Sequence, residues 1–178
     1  MILFHGSSVP GISTLRPFAS NHDKPYVYLT HSKILATLYA YNPMKRPNGF
    51  FTYWWDKDGI LCYDEYFNNQ MEEIYAGQKG FVYACQGDYP QLGKMPWVYL
   101  SEDKVHVEEC TEVPDIYAQL LDYENKGLLR VRRWKNASER QREIWKKVVH
   151  RSLTDVDRNS PIVKEYIQFV YTHFPDLI

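Results

Sequence analysis

The chain has 178 residues and a net charge of −1, a length that suits one domain or one domain with an extension. Hydrophobic residues make up 44% of it and aromatic residues 16%, which excludes an intrinsically disordered chain because this composition can bury a sizeable core. No apolar run approaches the roughly 20 residues that a membrane-spanning helix needs, so we expect no membrane association.

The cysteines and the first residues bear on metal binding and compartment. Cys62, Cys85 and Cys110 are far apart and no Cys-x-x-Cys pair occurs, which argues against a zinc knuckle or a redox dithiol. The apolar residues 1–4 are too few for the core of a signal peptide and follow no basic lead. The sequence therefore predicts a cytoplasmic protein without a metal site.

Taken in chain order, the predicted elements are at first mostly strands. The run at 2–5 predicts the first strand, and the run at 26–29 predicts the second. Apolar residues at helical spacing then predict a helix over 33–41. Further strands are predicted at 50–55, 60–67, 80–85, 97–100 and 104–108, with a short helix at 68–76. The Asp-Gly pair at 58–59 predicts a tight turn that joins 50–55 and 60–67 into a hairpin.

From residue 115 the hydrophobic period becomes helical. Helices are predicted at 115–126, 138–152 and 160–174. We therefore predict an α+β protein in two parts. These are a β-rich body over 1–114 and a helical extension over 115–178 that packs on it.

The small net charge hides an asymmetry between the two ends of the chain. Residues 1–127 contain 10 Lys and Arg against 16 Asp and Glu, whereas residues 128–178 contain 11 against 6. Most of the basic excess lies between residues 130 and 151. Such a stripe can contact nucleic acid or an acidic partner, or it can be a solvated helix face that pairs with acidic residues of the same chain.

Two short stretches carry residue types that suit a ligand site. Residues 4–7 read Phe-His-Gly-Ser at the end of the first strand. Residues 27–30 read Val-Tyr-Leu-Thr, and Tyr39 follows Tyr28 by eleven positions on the predicted helix. Over residues 1–41 this order resembles the ADP-ribosyltransferase fold of the His-Tyr-Glu type, with motifs like those of poly(ADP-ribose) polymerases. The resemblance implies a split antiparallel β-sheet for the body.

The resemblance also implies a substrate and a role for each of these residues. NAD would be the substrate, with His5 hydrogen-bonded to the nicotinamide-side ribose. The backbone of Gly6 would pair with the nicotinamide amide, since a residue without Cβ allows close approach, and Ser7 would add a further amide contact. Tyr28 and Tyr39 would sandwich the flat ring. The catalytic residues would then be His5, Tyr28 and a carboxylate that stabilises the oxocarbenium-like ribose and orients a protein or nucleic-acid acceptor.

The identity of that carboxylate has three alternatives. Glu65 precedes an aromatic pair on a predicted strand, as the family pattern asks, and is the first choice. Glu102 lies closer to the expected place in chain order, but it falls past the end of its strand. The third alternative is a degenerate member of the family without a catalytic Glu.

Three functions are therefore weighed. The first is an NAD-consuming ADP-ribosyltransferase that modifies a macromolecule. The second is a non-catalytic nucleotide-binding or protein-interaction module on the same fold. The third, an activity on RNA like that of the RNA 2′-phosphotransferases, has only the basic stripe in its favour.

Overall fold

The computed structural model describes residues 1–18, 24–41, 52–93, 95–154 and 161–175. Helices and a largely antiparallel arrangement of strands alternate along it, which confirms the α+β class. The strands are β1 (Ile2–Ser7), β2 (Thr14–Leu15), β3 (Val27–Thr30), β4 (Tyr53–Trp55), β5 (Leu61–Asp64), β6 (Gly80–Gln86), β7 (Gln91–Leu92), β8 (Met95–Ser101), β9 (Val105–His106), β10 (Glu109–Val113) and β11 (Leu129–Arg132). The helices are α1 (Lys33–Leu38), α2 (Gln70–Tyr75), α3 (Ile116–Asn125), α4 (Glu139–Ser152) and α5 (Pro161–His173).

The chain forms two compact units, and each is built from two separate stretches of sequence. Unit 1 comprises Met1–Asn42 and Tyr75–Tyr123, and unit 2 comprises Pro43–Ile74 and Glu124–Ile178. The division predicted at residue 114, a β-rich body with a helical extension packed on it, stays a prediction.

Unit 1 contains a six-stranded antiparallel sheet in the order β10-β6-β1-β3-β8-β7. Side chains alternate along each strand, and the apolar set on one face forms a buried core. That core consists of Leu3, Leu15, Val27, Leu29, Cys85, Tyr99 and Val105. A two-stranded ribbon of β2 and β9 contributes Leu15 and Val105 to it.

Helix α1 begins at a serine cap and packs closely on the sheet of unit 1. The Ser32 hydroxyl accepts a hydrogen bond from the Leu35 amide at 3.1 Å, which satisfies one of the free donors of the first turn. At the end of the helix, the Tyr75 hydroxyl donates to the carbonyl of Leu38 at 3.2 Å. Both ends of this short helix are therefore held by hydrogen bonds.

Unit 2 contains a three-stranded sheet in the order β11-β5-β4. The predicted hairpin of β4 and β5 is confirmed, although residues 50 and 51 of its first predicted strand lie outside the described residues. Its turn forms because Gly59 adopts a φ of +74° and the Asp56 carboxylate accepts from the amides of Asp58 and Ile60. Strand β11 pairs with β5 in parallel, so that Arg132 lies opposite Asp64.

Helices α4 and α5 cover an aromatic core in unit 2. The hydroxyl of Ser138 caps α4 by accepting from the amide of Gln141 at 3.2 Å. Buried side chains from both helices and from the segment before α2 form the core, namely Phe67, Val149, Leu153, Val170 and Phe174. The predicted helices at 115–126, 138–152 and 160–174 correspond to α3, α4 and α5, except for residue 160, which lies outside the described residues.

Within the described part of the chain, no helix combines the length and apolarity needed to cross a membrane.

Candidate ligand-binding site

The candidate site lies at the junction of β1 with β3. Strand β1 pairs with β6 along its whole length, from Ile2 to Ser7. Its ladder with β3, in contrast, holds a single pair among the described residues, Phe4 with Thr30. Regular pairing between β1 and β3 therefore ends at Phe4, directly before the predicted motif of His5, Gly6 and Ser7.

His5 is held by the strand from which β1 parts. Its Nδ1 lies 2.8 Å from the carbonyl oxygen of Tyr28. Because a carbonyl can only accept, Nδ1 carries the proton in this bond. Burial lowers the pKa of His5 below its ordinary 6.5, against a smaller opposing effect of the Tyr28 bond. The imidazole is thus a neutral tautomer, and Nε2, which has no hydrogen-bond partner among the described residues, presents a lone pair.

Gly6 is a glycine because a helix packs against it. A Cβ at this position would lie 1.9 Å from the carbonyl oxygen of Ala36 and 2.9 Å from the amide nitrogen of Ala40. Gly80 contacts the same stretch, since its Cβ would lie 2.1 Å from the carbonyl oxygen of Ala40. The close approach expected for a ligand at Gly6 is therefore taken, on its Cβ side, by the backbone of α1 and the residues that follow it.

Ser7 makes a local contact. Its hydroxyl oxygen accepts from the amide of Val9 at 3.1 Å, which stabilises the turn after β1. The predicted amide contact of Ser7 with a ligand stays a prediction.

The alternation of side chains separates His5 from Tyr28. Leu3 and His5 share one face of β1, and Gly6 lies on the other. Leu29 packs with Leu3 in the core, so Tyr28 lies on the face of Gly6. The structure brings His5 to the backbone of Tyr28 and not to its ring.

Tyr28 lies on the sheet face that α1 covers, and Tyr39 ends α1 itself. The ring of Tyr28 makes edge contacts with Phe18 and Tyr26, with ring centroids 5.9 and 6.2 Å apart. Tyr39 is the last residue of the α1 cap and is 39% exposed. An exposed ring at a helix end is accessible to a planar ligand.

Glu65 belongs to unit 2 and is fully engaged there. Its carboxylate is buried and accepts from the amides of Met71 and Trp134, each at 3.3 Å, and from the Arg133 guanidinium at 3.5 Å. These bonds give Glu65 a structural role in joining the start of α2 to the chain after β11. Glu102, the alternative, is exposed after β8 and pairs with Lys24 at 3.4 Å. The catalytic role of either residue stays a prediction.

The partners of residues 64 and 65 were missed by sequence analysis. Asp64 is buried, accepts from Arg132 Nε at 2.6 Å and from Trp54 Nε1 at 3.1 Å, and also bonds Arg132 Nη2. The adjacent Glu65 bonds Arg133, which also pairs with Glu124. The sequence did contain a signal for these ion pairs, namely the Asp-Glu pair at 64–65 and the Arg-Arg pair at 132–133. The parallel pairing of β11 with β5 aligns the two pairs.

Family models, curated proteins and solved structures were each compared with the chain, and none matches it.

Proposed function

We propose that the chain is an ADP-ribosyltransferase-like protein that binds NAD where β1 and β3 part. The observation that carries the proposal is the 2.8 Å bond from His5 Nδ1 to the Tyr28 carbonyl, which leaves Nε2 without a partner among the described residues. In that tautomer Nε2 can accept a hydrogen bond from a ribose hydroxyl. Strands β1 and β3 are neighbours in one sheet, and their pairing at a single described position supports the split that this family would have there.

A flat amide at this junction can use both faces of the sheet. His5 lies on one face, whereas Tyr28 lies on the other and Tyr39 ends α1, the helix that covers that second face. A ligand that enters between the two strands, rather than lying on one face, would meet all three groups. The nicotinamide sandwich proposed for the tyrosines depends on this mode of entry.

Transfer would break the bond between the ribose C1′ and the nicotinamide nitrogen. Nicotinamide leaves with the bonding electron pair, and the acceptor's nucleophile forms the new bond to C1′ while losing its proton. A carboxylate would stabilise the positive charge that develops on the ribose. Which carboxylate would do so, Glu65 or Glu102, stays a prediction from the sequence.

The engagement of Glu65 favours a second candidate function, a non-catalytic binding module on the same fold. The donors that bond its carboxylate, Met71, Trp134 and Arg133, all belong to unit 2. These structural bonds explain the presence of a buried carboxylate at residue 65 without any catalytic role. Under this alternative the chain binds NAD or a related nucleotide and does not turn it over.

Calorimetric titration with NAD, ADP-ribose and nicotinamide tests binding, and release of labelled nicotinamide from NAD tests turnover. We expect saturable NAD binding that weakens about tenfold in His5→Asn, because one hydrogen bond is lost. His106→Asn, at an exposed position on β9, is the matched control and should bind normally.

The tyrosine variants test the ring rather than the hydroxyl. Tyr39→Phe should retain NAD binding and Tyr39→Leu should lose most of it, since Phe keeps the aromatic face and Leu does not. Binding without nicotinamide release supports the module, and release supports the transferase. No NAD binding by the folded chain, or equal affinity in His5→Asn, would falsify the proposal.

A further inference from the structure

Unit 2 contains a cavity that the proposed NAD site does not use. It has a volume of about 390 Å³, which falls in the size range of ligand pockets. Strands β4, β5 and β11 and helix α4 line it. The lining residues include Trp54, Asp64, Arg132, Ile144, Trp145 and Val148. All of these residues belong to unit 2, so the cavity does not depend on whether the chain binds NAD.

A clamped guanidinium forms the polar part of the cavity. Arg132 lies 4.8 Å from the ring centroid of Trp54 and 5.8 Å from that of Trp145, so two indoles contact its planar group. Asp64 takes the Nε and Nη2 edge. Nη1 has no hydrogen-bond partner among the described residues, which leaves donors for a carboxylate or phosphate.

The rim beside this guanidinium is aliphatic. Ile144 and Val148 are four residues apart on α4 and therefore lie on the same helix face. Their exposed fractions are 46% and 49%, and Trp54 is 38% exposed. An anion-binding group next to exposed aliphatic and indole surface suits a ligand that combines a negative charge with an apolar side chain.

The pairing of the other arginines argues against nucleic acid as the occupant. Arg130 is paired with Asp56 and Asp58, and Arg133 with Glu65 and Glu124. On Arg132, which lines the cavity, Asp64 takes the Nε and Nη2 edge, and Nη1 has no partner among the described residues. A single such edge between aliphatic side chains fits a carboxylate better than a phosphate backbone, which needs a groove of several cations.

The charge of α4 suits an anionic partner of either kind, and the exposed aliphatic rim is what favours a peptide over nucleic acid. The helix carries five Arg and Lys against two Glu. Its field attracts a negatively charged segment and raises the rate of association.

We propose that this cavity binds a peptide segment of a partner protein in which an Asp or Glu lies within a few positions of an aliphatic or aromatic side chain. The carboxylate bonds the open edge of Arg132. The apolar side chain packs on Ile144, Val148 and the exposed part of Trp54. The cation–indole contacts hold the guanidinium in place before the peptide binds, which lowers the entropy cost of binding.

The test is a selection of random peptides displayed on phage against the full chain, followed by anisotropy measurements with labelled synthetic peptides. We expect the selected peptides to share an acidic residue close to an apolar one. Replacing that acidic residue by its amide should weaken binding about tenfold, because a charge-assisted hydrogen bond is lost.

The protein variants locate the site. Ile144→Ser combined with Val148→Ser should weaken peptide binding about tenfold or more and leave the melting temperature almost unchanged, since both side chains are half exposed. Leu128→Ser is the matched control, because Leu128 is equally exposed at 50%, and it should bind the peptide normally.

Three outcomes would overturn the proposal. The first is a selection without the acidic and apolar pattern, and the second is unchanged peptide affinity in the Ile144 and Val148 double variant. The third is an RNA oligonucleotide that binds the wild-type chain, displaces the peptide and loses affinity in the same double variant.

Discussion

A glycine at residue 6 can be explained either by the approach of a ligand or by the packing of α1. Its place after His5 suggested an opening for a ligand, yet the space beside its Cα is filled by the backbone of Ala36 and Ala40. Unlike a flexible side chain, the helix backbone cannot move aside without disturbing the sheet that it packs on. Packing of α1 is therefore enough to require glycine at this position.

We predict that Gly6→Ala destabilises the chain by roughly 1–3 kcal/mol, the usual cost of an overpacked core. The denaturant midpoint measures this loss. Gly87→Ala is the matched control, because the atoms nearest to its Cβ lie at the far end of the Tyr89 side chain and not in the backbone. Equal midpoints for the wild type and Gly6→Ala would contradict the packing explanation.

His5 should make stability depend on pH. Because burial lowers its pKa in the folded state, the unfolded chain binds a proton more tightly than the folded one. The free energy of unfolding should therefore fall as the pH drops through 6.5 toward the lowered pKa, and recover above it.

Denaturant unfolding of the wild type and of His5→Gln between about pH 8 and about pH 5 measures this effect. The other histidines titrate in both proteins, so only the difference between the two curves reports on His5. We expect the wild type to lose more stability than the variant on acidification. Parallel curves would show that the pKa of His5 is not lowered by folding.

At the scale of elements, α5 is held to unit 2 by aromatic packing. Phe174 follows the helix, is buried, and lies 6.0 Å from Phe67 between ring centroids. His173 adds a 2.8 Å bond from its Nε2 to Glu73 on α2. The short helices around this core gain their stability from such packing rather than from their own propensity.

Phe174→Ala should destabilise unit 2 by about 3 kcal/mol, because it removes a buried ring and leaves a cavity. Hydrogen exchange of the α5 amides should rise together with the fall in the denaturant midpoint. Gln168→Ala, at an exposed position of the same helix, should change neither quantity. Unchanged exchange in Phe174→Ala would mean that α5 is held by other contacts.

At the scale of the whole molecule, the two units interleave along the sequence. Strand β11 and helices α4 and α5 follow residue 124, but β5, with which β11 pairs, lies more than sixty residues earlier. A fragment over 115–178 therefore lacks β5, Asp64 and Phe67. Its helices would expose the surfaces that they bury in the full chain.

We predict that the fragment 115–178 shows no cooperative thermal transition by circular dichroism, whereas the full chain does. Isolated helices of this length are marginal in water when their apolar faces are not covered. A cooperative transition in the fragment alone would show that residues 115–178 fold without β5 and would contradict this prediction.

Sequence analysis predicted the elements that depend on neighbouring residues. The helices α3, α4 and α5 and the hairpin of β4 and β5 follow from local period, caps and the Asp-Gly turn. Strand β11 was missed because its four residues read as part of a basic run, and its partner strand is distant in the chain. Parallel pairing leaves no turn signal from which it could be predicted.

The same distinction holds for the candidate sites. Residue types and order alone determined the choice of His5, Gly6 and Tyr28, since a strand end with His and Gly is visible in the sequence. Tertiary structure alone decided which backbone carbonyl orients His5, what fills the space beside Gly6, and which arginines neutralise Asp64 and Glu65. The physical reason is that strand register and helix packing join residues far apart in the chain, and no local preference encodes that distance.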